Sequence, residues 1–156
     1  MATVPNHAKQ QYLNGSVDWV NDTIRVALVA DSISFSLDID ADEFVNDVLN
    51  GTDAEEFDTA GGTGYSRQTV ANTATQQDNT DDEGVADGDD VTFGSLDGAT
   101  IQGVLVYKQV GGDDTTPGDD PILYYLDDTD VSDLPKNTNG GDITVQWAAE
   151  GIVNLQ

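Results

Sequence analysis

The sequence predicts a mainly β protein: an antiparallel β-sandwich or barrel of about eight strands, with one short inserted helix near residues 40–50. Three observations predict it. First, Ile101–Lys108 and Pro121–Asp127 are apolar on both faces of a period-2 pattern, and strands of that kind need cover above and below. Second, Val110–Asp120 between them is nearly all turn chemistry, with Gly111-Gly112, Pro117-Gly118 and paired aspartates, which makes the two stretches a central hairpin. Third, short alternating runs recur along the rest of the chain, separated by Gly, Asn and Asp.

Taken in order, His7–Leu13 has apolar marks at Ala8, Tyr12 and Leu13 and reads as one or two helical turns stopped at Asn14-Gly15. It belongs to an N-terminal arm or short helix, residues 1–21, ahead of a single β-sandwich domain, residues 22–156. Thr23–Val29 puts Ile24, Val26 and Leu28 on one face and Arg25, Ala27 and Val29 on the other. Asp31–Leu37 points Ile33, Phe35 and Leu37 inward and three serines outward, as a half-buried strand or an extended arm. Asp40 is expected to cap a helix over Ala41–Leu49, with Glu43 completing a capping box, Phe44, Val45, Val48 and Leu49 as its apolar stripe and Asn50-Gly51 as its stop.

Thr52–Gly64 reads as loop and Tyr65–Thr75 as one strand. Gln76–Asp90 reads as a long acidic hairpin loop with a short edge strand at Gly84-Val85-Ala86. Val91-Thr92-Phe93 is a strand, followed by a turn at Asp97-Gly98 and the central hairpin. After the acidic loop Asp127–Lys136, the turn Asn139-Gly140-Gly141 opens a strand in which Ile143, Val145 and Trp147 take the core face, and Gly151–Leu155 supplies a short last strand. The expected core is Ile24, Val26, Leu28, Val104, Leu105, Val106, Leu123, Leu126, Val145 and Trp147.

The charge is extreme. The chain has 156 residues, with 30 acidic against 5 basic side chains and a formal charge of -25. Such a surface repels itself at low ionic strength. At molar salt the Debye length falls to roughly 3 Å and the repulsion is mostly screened, so the composition reads as the solvated surface of a halophile's protein. Five cations are too few to neutralise phosphates, which disfavours nucleic-acid binding, and none is expected. The 37 % apolar content is enough for a folded core. With no cysteine there is no disulfide framework, thiol nucleophile or thiolate metal site. The first residues show neither a charged n-region nor an apolar h-region, so no signal peptide is expected, and no run is long enough for a membrane span.

Candidate chemistry is sparse. His7 is the single histidine and sits in a polar segment where exposure is expected. Gly61-Gly62-Thr63-Gly64 has the glycines of a phosphate loop but no following Gly-Lys-Ser/Thr, so it reads as a turn. No catalytic residue and no required cofactor is predicted. Hard-oxygen metal sites are the sharpest alternative, and a structural Mg²⁺, Ca²⁺ or Na⁺ is the ion class they would hold. Asp38, Asp40 and Asp42 have the D-x-D-x-D opening of a calcium loop, although Glu43 stands where that loop needs glycine and Leu49 where it needs a bidentate glutamate. Asp87 and Asp89, and Asp127, Asp128 and Asp130, are the other candidate ligands. Asn21-Asp22-Thr23 and Asn50-Gly51-Thr52 match the N-glycosylation pattern. Tyr107, Tyr124, Tyr125 and Trp147 are expected in the core or at a subunit interface. Gly111–Asp120 is expected to be the outward-facing tip, with Lys108 at its base neutralised by a carboxylate or a subunit partner.

The order of the strand motifs carries a resemblance. Asp22-Thr23-Ile24-Arg25-Val26-Ala27-Leu28 is followed by a short acidic helix, Gly62-Thr63-Gly64-Tyr65, Asp90-Val91-Thr92-Phe93, Val104-Leu105-Val106-Tyr107-Lys108, Pro121–Asp127 and Gly141-Asp142-Ile143-Thr144-Val145-Gln146-Trp147. From Asp22 to Val153 this resembles a family of small virion structural proteins of tailed viruses, of the head decoration or turret type. The loops Asp53–Thr59, Asp78–Asp90 and Asp127–Asp133 are more acidic than that pattern, which suits a virus of a haloarchaeal host. The resemblance implies a non-enzymatic part of the virion, on the head surface and assembled in the host cytoplasm. Its expected partners are the major capsid protein or other virion proteins, and a homo-oligomer, trimer or pentamer, is expected. The alternatives are a tail or baseplate protein and a module that binds a host cell-surface glycan.

Overall fold

Two-faced strands make a two-sided sheet, and the rest of the chain is laid over its faces. A computed structural model describes residues 3–155; residues 1, 2 and 156 of the two expected segments lie outside the described residues. The elements are α1 (Asn6–Asn14), β1 (Thr23–Ala30), α2 (Val45–Val48), β2 (Gln68–Thr69), β3 (Ala74–Asp78), β4 (Glu83–Asp87), β5 (Val91–Leu96), β6 (Thr100–Gln109), β7 (Ile122–Leu126), β8 (Lys136–Asn137), β9 (Gly141–Val145) and β10 (Val153–Leu155). The fold is mainly β, antiparallel and sandwich-like, and the sheets do not close into a barrel among the described residues.

The main sheet runs β2-β1-β6-β7, with β8 also on β6. β1 pairs β6 from Thr23 opposite Gln109 to Ala30 opposite Ile101, and β6 pairs β7 with Val106 opposite Tyr124. One face of this sheet presents Ile24, Val26, Leu28, Val104, Val106 and Leu123 to a core completed by Trp19, Phe57, Phe93, Leu96 and Ile152. The other face presents Ala27, Val29, Leu105, Tyr107, Ile122 and Tyr125 to Leu37, Val45, Val48 and Ala54. The period-2 partition therefore holds residue by residue from Ile24 to Val29 in β1 and from Val104 to Tyr107 in β6. The sheets β10-β4-β3 and β5-β9 contribute to the first of these cores. Gly103 is where β6 lets the Tyr125 ring lie flat: a Cβ there would sit 2.6 Å from Tyr125 Cζ.

The arm is docked onto the body. α1 buries Ala8 and ends where Gly15, at φ 74°, adopts the left-handed conformation and donates its N–H back to Gln11 and Tyr12. Thr3 and Tyr125 exchange two backbone hydrogen bonds of 3.0 Å. Trp19 is 4 % exposed, and its Nε1 donates to the Asp87 carbonyl at 2.8 Å.

Three expectations are corrected, the extent of one helix, its cap and one strand. The helix expected over Ala41–Leu49 is a single turn, Val45–Val48. Asp40 does not cap it, because that carboxylate accepts from Asn6 Nδ2 at 2.6 Å; Asp47 instead takes the N–H groups of Glu43 and Phe44 at 3.1 and 2.8 Å. The strand expected over Tyr65–Thr75 is split into β2 and β3 at Asn72, whose φ of 51° turns the chain from the main sheet toward β4; asparagine tolerates that conformation. Of the two forms expected for the segment 31–37, the structure has the arm: Gln102 takes up its backbone, donating to the Ala30 and Ile33 carbonyls at 2.7 Å each. Finally, Gly111–Asp120 faces outward over most of its length, as expected, but is tied down. It folds back, and Pro117 accepts from the Asn46 N–H at 3.2 Å.

Candidate functional site

The cause of that return is a set of charged and phenolic groups at one end of the main sheet. β1 supplies Arg25, and the register sets Tyr107 of β6 directly opposite it. Arg67 precedes β2, whose Thr69 pairs Arg25 from the other side. Glu56 arrives on a segment that bridges β1 at Val29. These positions follow from strand alternation: Arg25 and Tyr107 fall on the face that carries Ala27 and Leu105.

Arg67 grips Glu56 with a fork, Nε to Oε1 and Nη2 to Oε2, both 2.7 Å. The two side chains are 12 % and 15 % exposed. Tyr65 donates its hydroxyl to Glu56 at 2.6 Å while accepting the Leu28 N–H at 3.2 Å, and its ring stacks on Phe93. The Arg67 guanidinium also lies over the Tyr107 ring, 5.4 Å from its centroid. Tyr107 donates to Asp114 at 2.6 Å, Gln109 donates to the same oxygen at 2.8 Å, and Arg25 Nη2 reaches the other oxygen at 2.9 Å. Arg25 also donates to the Arg67 carbonyl at 2.9 Å. Two guanidinium groups thus face two carboxylates, and the cluster is locally neutral within a chain of charge -25.

Burial alone would disfavour the Arg67 cation, but its bonds to Glu56 and that group's negative charge outweigh it and hold the guanidinium above its ordinary pKa. Burial, the nearby Glu56 charge and the donated hydrogen bond push the Tyr65 hydroxyl up, and burial with the bond to Asp114 does the same for Tyr107. Both phenols therefore stay protonated donors. Burial works against the Asp114 anion, yet donation from Tyr107 and Gln109 and the charges of Arg25 and Arg67 hold it below the usual aspartate range. The arrangement suits a latch: Asp114 is the loop's plug, and the Tyr107–Arg25 end of the sheet is its socket.

Asp120, at the far end of the same loop, is 0 % exposed. Its Oδ1 accepts the Val110 N–H at 2.7 Å, while Oδ2 has no hydrogen-bond partner. Burial and the Asp114 charge push its carboxyl up, against the pull of the Val110 N–H. Lys108 is neutralised as expected: its Nζ meets Asp22 at 2.8 Å and the Ser16 carbonyl at 2.6 Å.

Three of the candidate metal ligands, Asp38, Asp42 and Asp127, serve as local turn acceptors. Asp38 takes the Asp40 N–H at 3.0 Å, Asp42 takes the Asp38 N–H at 2.7 Å and Asp40 is bonded to Asn6, so the calcium-like opening is closed by its own backbone. Asp127 accepts both the N–H and the hydroxyl of Thr129, at 2.8 and 2.6 Å; Asp89 accepts from Asn72 Nδ2 at 2.6 Å; Asp128 is exposed and Asp130 partly covered. Asp87 contributes its carbonyl to Trp19. Among the described residues the carboxylates that converge within 4.8 Å are Asp78, Asp81 and Glu150. His7, expected to be exposed, is half-buried instead, bonded to Gln11 at 2.8 Å and with its ring 5.0 Å from that of Phe44. Asn21 and Asn50 of the two glycosylation patterns are exposed, with their amides donating to Asp18 and Asp53.

Of the latch, the sequence singled out Tyr107 and the turn-rich loop but not Glu56, Arg67 or Asp114. The available signal was scarcity: a cation on an otherwise apolar strand face, such as Arg25 beside Ala27 and Val29, calls for a carboxylate partner. No family model, curated protein or solved structure matches this chain.

Proposed function

We propose that the chain is a non-enzymatic structural protein of the virion of a tailed virus with a haloarchaeal host, set on the capsid exterior as a decoration or turret component. The observation that carries this reading is the ordered motif series. Asp22–Leu28 opens β1, Asp90–Phe93 opens β5, Val104–Lys108 lies in β6 and Gly141–Trp147 covers β9, all within one sandwich. The chemistry is compatible: the polar cluster ties a loop down and offers no uncommitted nucleophile, and the acidic loops suit a surface bathed in concentrated salt. In this reading the protein works by packing, with the apolar sandwich inside, contacts to the major capsid protein and its own copies along the sheet edges and arm, and the carboxylates outward.

Mass spectrometry of purified particles separated into heads and tails tests it. The chain should copurify with heads at a fixed ratio to the major capsid protein, and antibodies against it should decorate the head exterior. Recovery in the tail fraction would move the protein to the tail or baseplate. Full-length particles that assemble without it but no longer adsorb would make it a host-binding module.

A further inference from the structure

Three residues expected in the core are not closed over. Leu126 of β7, Val145 of β9 and Trp147 just beyond it are half-buried, whereas the other seven expected core residues are buried. The three line two adjoining grooves of about 460 and 310 Å³, which share Leu126, Val131 and Gln146. The larger groove is floored by Leu28, Ile101 and Val104 of the main sheet. One wall is the loop carrying Val131 and Leu134, and the opposite wall is β9 from Asp142 to Val145, with Gln146 just beyond it.

That wall is an open strand edge. β9 pairs with β5 on one side, and among the described residues no strand pairs with the other. Two observations fix which backbone groups face the groove. The Trp147 N–H donates to Asp90 Oδ1, on the β5 side, at 3.0 Å. The Thr92 and Thr144 hydroxyls lie 2.9 Å apart, the close approach expected of a non-hydrogen-bonded antiparallel pair. Backbone polar groups alternate sides along a strand, so Thr144 and Gln146 turn their N–H and C=O away from β5. An unpaired edge beside an apolar trough is the arrangement that accepts an added strand.

We propose that this groove receives one extended strand from a different protein, apolar on one face and flanked by Lys or Arg. The strand pairs with the free edge of β9 and lowers alternate side chains toward Leu28, Ile101 and Val104. Charge selects the partner. Asp130, Asp133 and Asp142 stand along the grooves, and the cation there, Lys136, is already bonded to Asp133 at 2.8 Å. A second copy of this chain would bring a further charge of -25, whereas a cationic strand is drawn in. The groove is a property of the fold and stands whether or not the chain belongs to a virion.

The test is an NMR titration of the full chain with three synthetic heptapeptides: Lys-Val-Thr-Val-Thr-Val-Lys, the same peptide with Glu at both ends, and the Lys-flanked peptide with Pro at its centre. The Lys-flanked peptide should bind and slow hydrogen exchange at the Thr144 and Gln146 amides. It should bind at least tenfold more tightly than the Glu-flanked peptide at low salt, and the Pro peptide should not bind. Thr144→Pro, which removes an N–H that β5 does not use, should abolish binding. Val131→Trp, which fills the groove from its loop side without replacing a strand residue, should abolish it as well, with an unchanged fold by NMR. Shifts that map away from β9, equal affinity for the Glu-flanked peptide, no binding of the Lys-flanked peptide, or concentration-dependent protection of Thr144 in the free chain, which would signal self-pairing, would each overturn the proposal.

Discussion

Arg67→Met is the most informative single change in the latch. It keeps the apolar stem and deletes the fork that holds Glu56 through two 2.7 Å bonds. Hydrogen bonds to charged groups contribute about 1.5–3 kcal/mol each, which brackets the loss at roughly 3–6 kcal/mol before relaxation. Two features lower it. The Tyr65 hydroxyl remains on Glu56 at 2.6 Å, and the pair is 12 % and 15 % exposed, so water can reach the abandoned carboxylate. The expected cost is therefore about 3 kcal/mol, the low end for breaking a buried pair from one side. Glu56→Gln preserves shape and one acceptor and should cost about 2 kcal/mol. The double variant leaves neither charge unpaired, so its cost should fall at least ~1.5 kcal/mol below the sum of the two. Urea unfolding at a fixed molar salt measures all three, since urea, unlike guanidinium, leaves ionic strength unchanged; equal m-values would confirm that midpoint shifts report stability. A cost under ~1 kcal/mol for Arg67→Met, or strict additivity in the double variant, would refute the view that the pair is a coupled, desolvated unit.

Three further outcomes follow from the same geometry. Asp114→Asn should lower stability at neutral pH by about 1–2 kcal/mol and speed amide exchange in the loop between β6 and β7. Because the Asp114 carboxyl is held below the ordinary range, this contribution is present above that range and is lost as pH falls through the depressed value, so wild type and variant should converge in acid. Asp120→Asn acts in the opposite sense. The native Asp120 carboxyl is pushed up, so the folded state binds its proton more readily and stability falls as pH rises through the raised value; the amide should remove that slope and gain on the order of 1 kcal/mol at neutral pH, and a slope that persists in the variant would count against it. Gly103→Ala drives a Cβ into the Tyr125 ring and should cost about 2 kcal/mol. Tyr125→Phe should restore part of that, since the Tyr125 hydroxyl is the atom nearest the new methyl and has no hydrogen-bond partner; failure of that rescue in thermal melts would mean the backbone, not the ring, absorbs the strain.

The main sheet was legible because burial on two faces leaves little freedom in the pattern: from Val26 to Val29 in β1 and from Val104 to Tyr107 in β6 successive residues are apolar on both faces. α1 was legible from Asn14-Gly15, where a left-handed stop is encoded by residue type. The helix over Ala41–Leu49 misled for a physical reason. Its acids and apolar stripe satisfy a helix locally, yet the partner that Asp40 finds lies 34 residues away at Asn6, which no local reading contains. The strand over Tyr65–Thr75 likewise reads as alternating until Asn72 takes a positive φ, where its Nδ2 donates to Asp89 and the Asp89 N–H donates to the Ala71 carbonyl, partners 17 and 18 residues away that no local reading contains. Most of all, thirty acids obscure the two that matter to the latch. Nothing in the local sequence marks Glu56 or Asp114 among them, because what distinguishes each is the cation that folding brings to it.

Those cations organise the chain more than their number suggests. Four of the five meet a carboxylate: Arg25 with Asp114, Arg67 with Glu56, Lys108 with Asp22 and Lys136 with Asp133. The first three join separate segments, and the fifth, Lys9, bonds a neutral oxygen of Asn6. Those four are a small part of the 30 acids, which far outnumber the five Lys and Arg side chains. Added salt therefore acts on two populations differently. The Arg67–Glu56 pair is shielded from counter-ions and little affected, while repulsion among the exposed acids weakens as the Debye length shrinks, so salt stabilises this fold by relieving its surface and not by strengthening its bridges. The same asymmetry explains why an open edge can be kept. Exposed strand edges invite self-association, but two copies approaching through β9 bring their whole anionic surfaces together. The open edge is thus guarded against its own kind by charge, and a cationic strand is the partner for which that guard becomes an attraction.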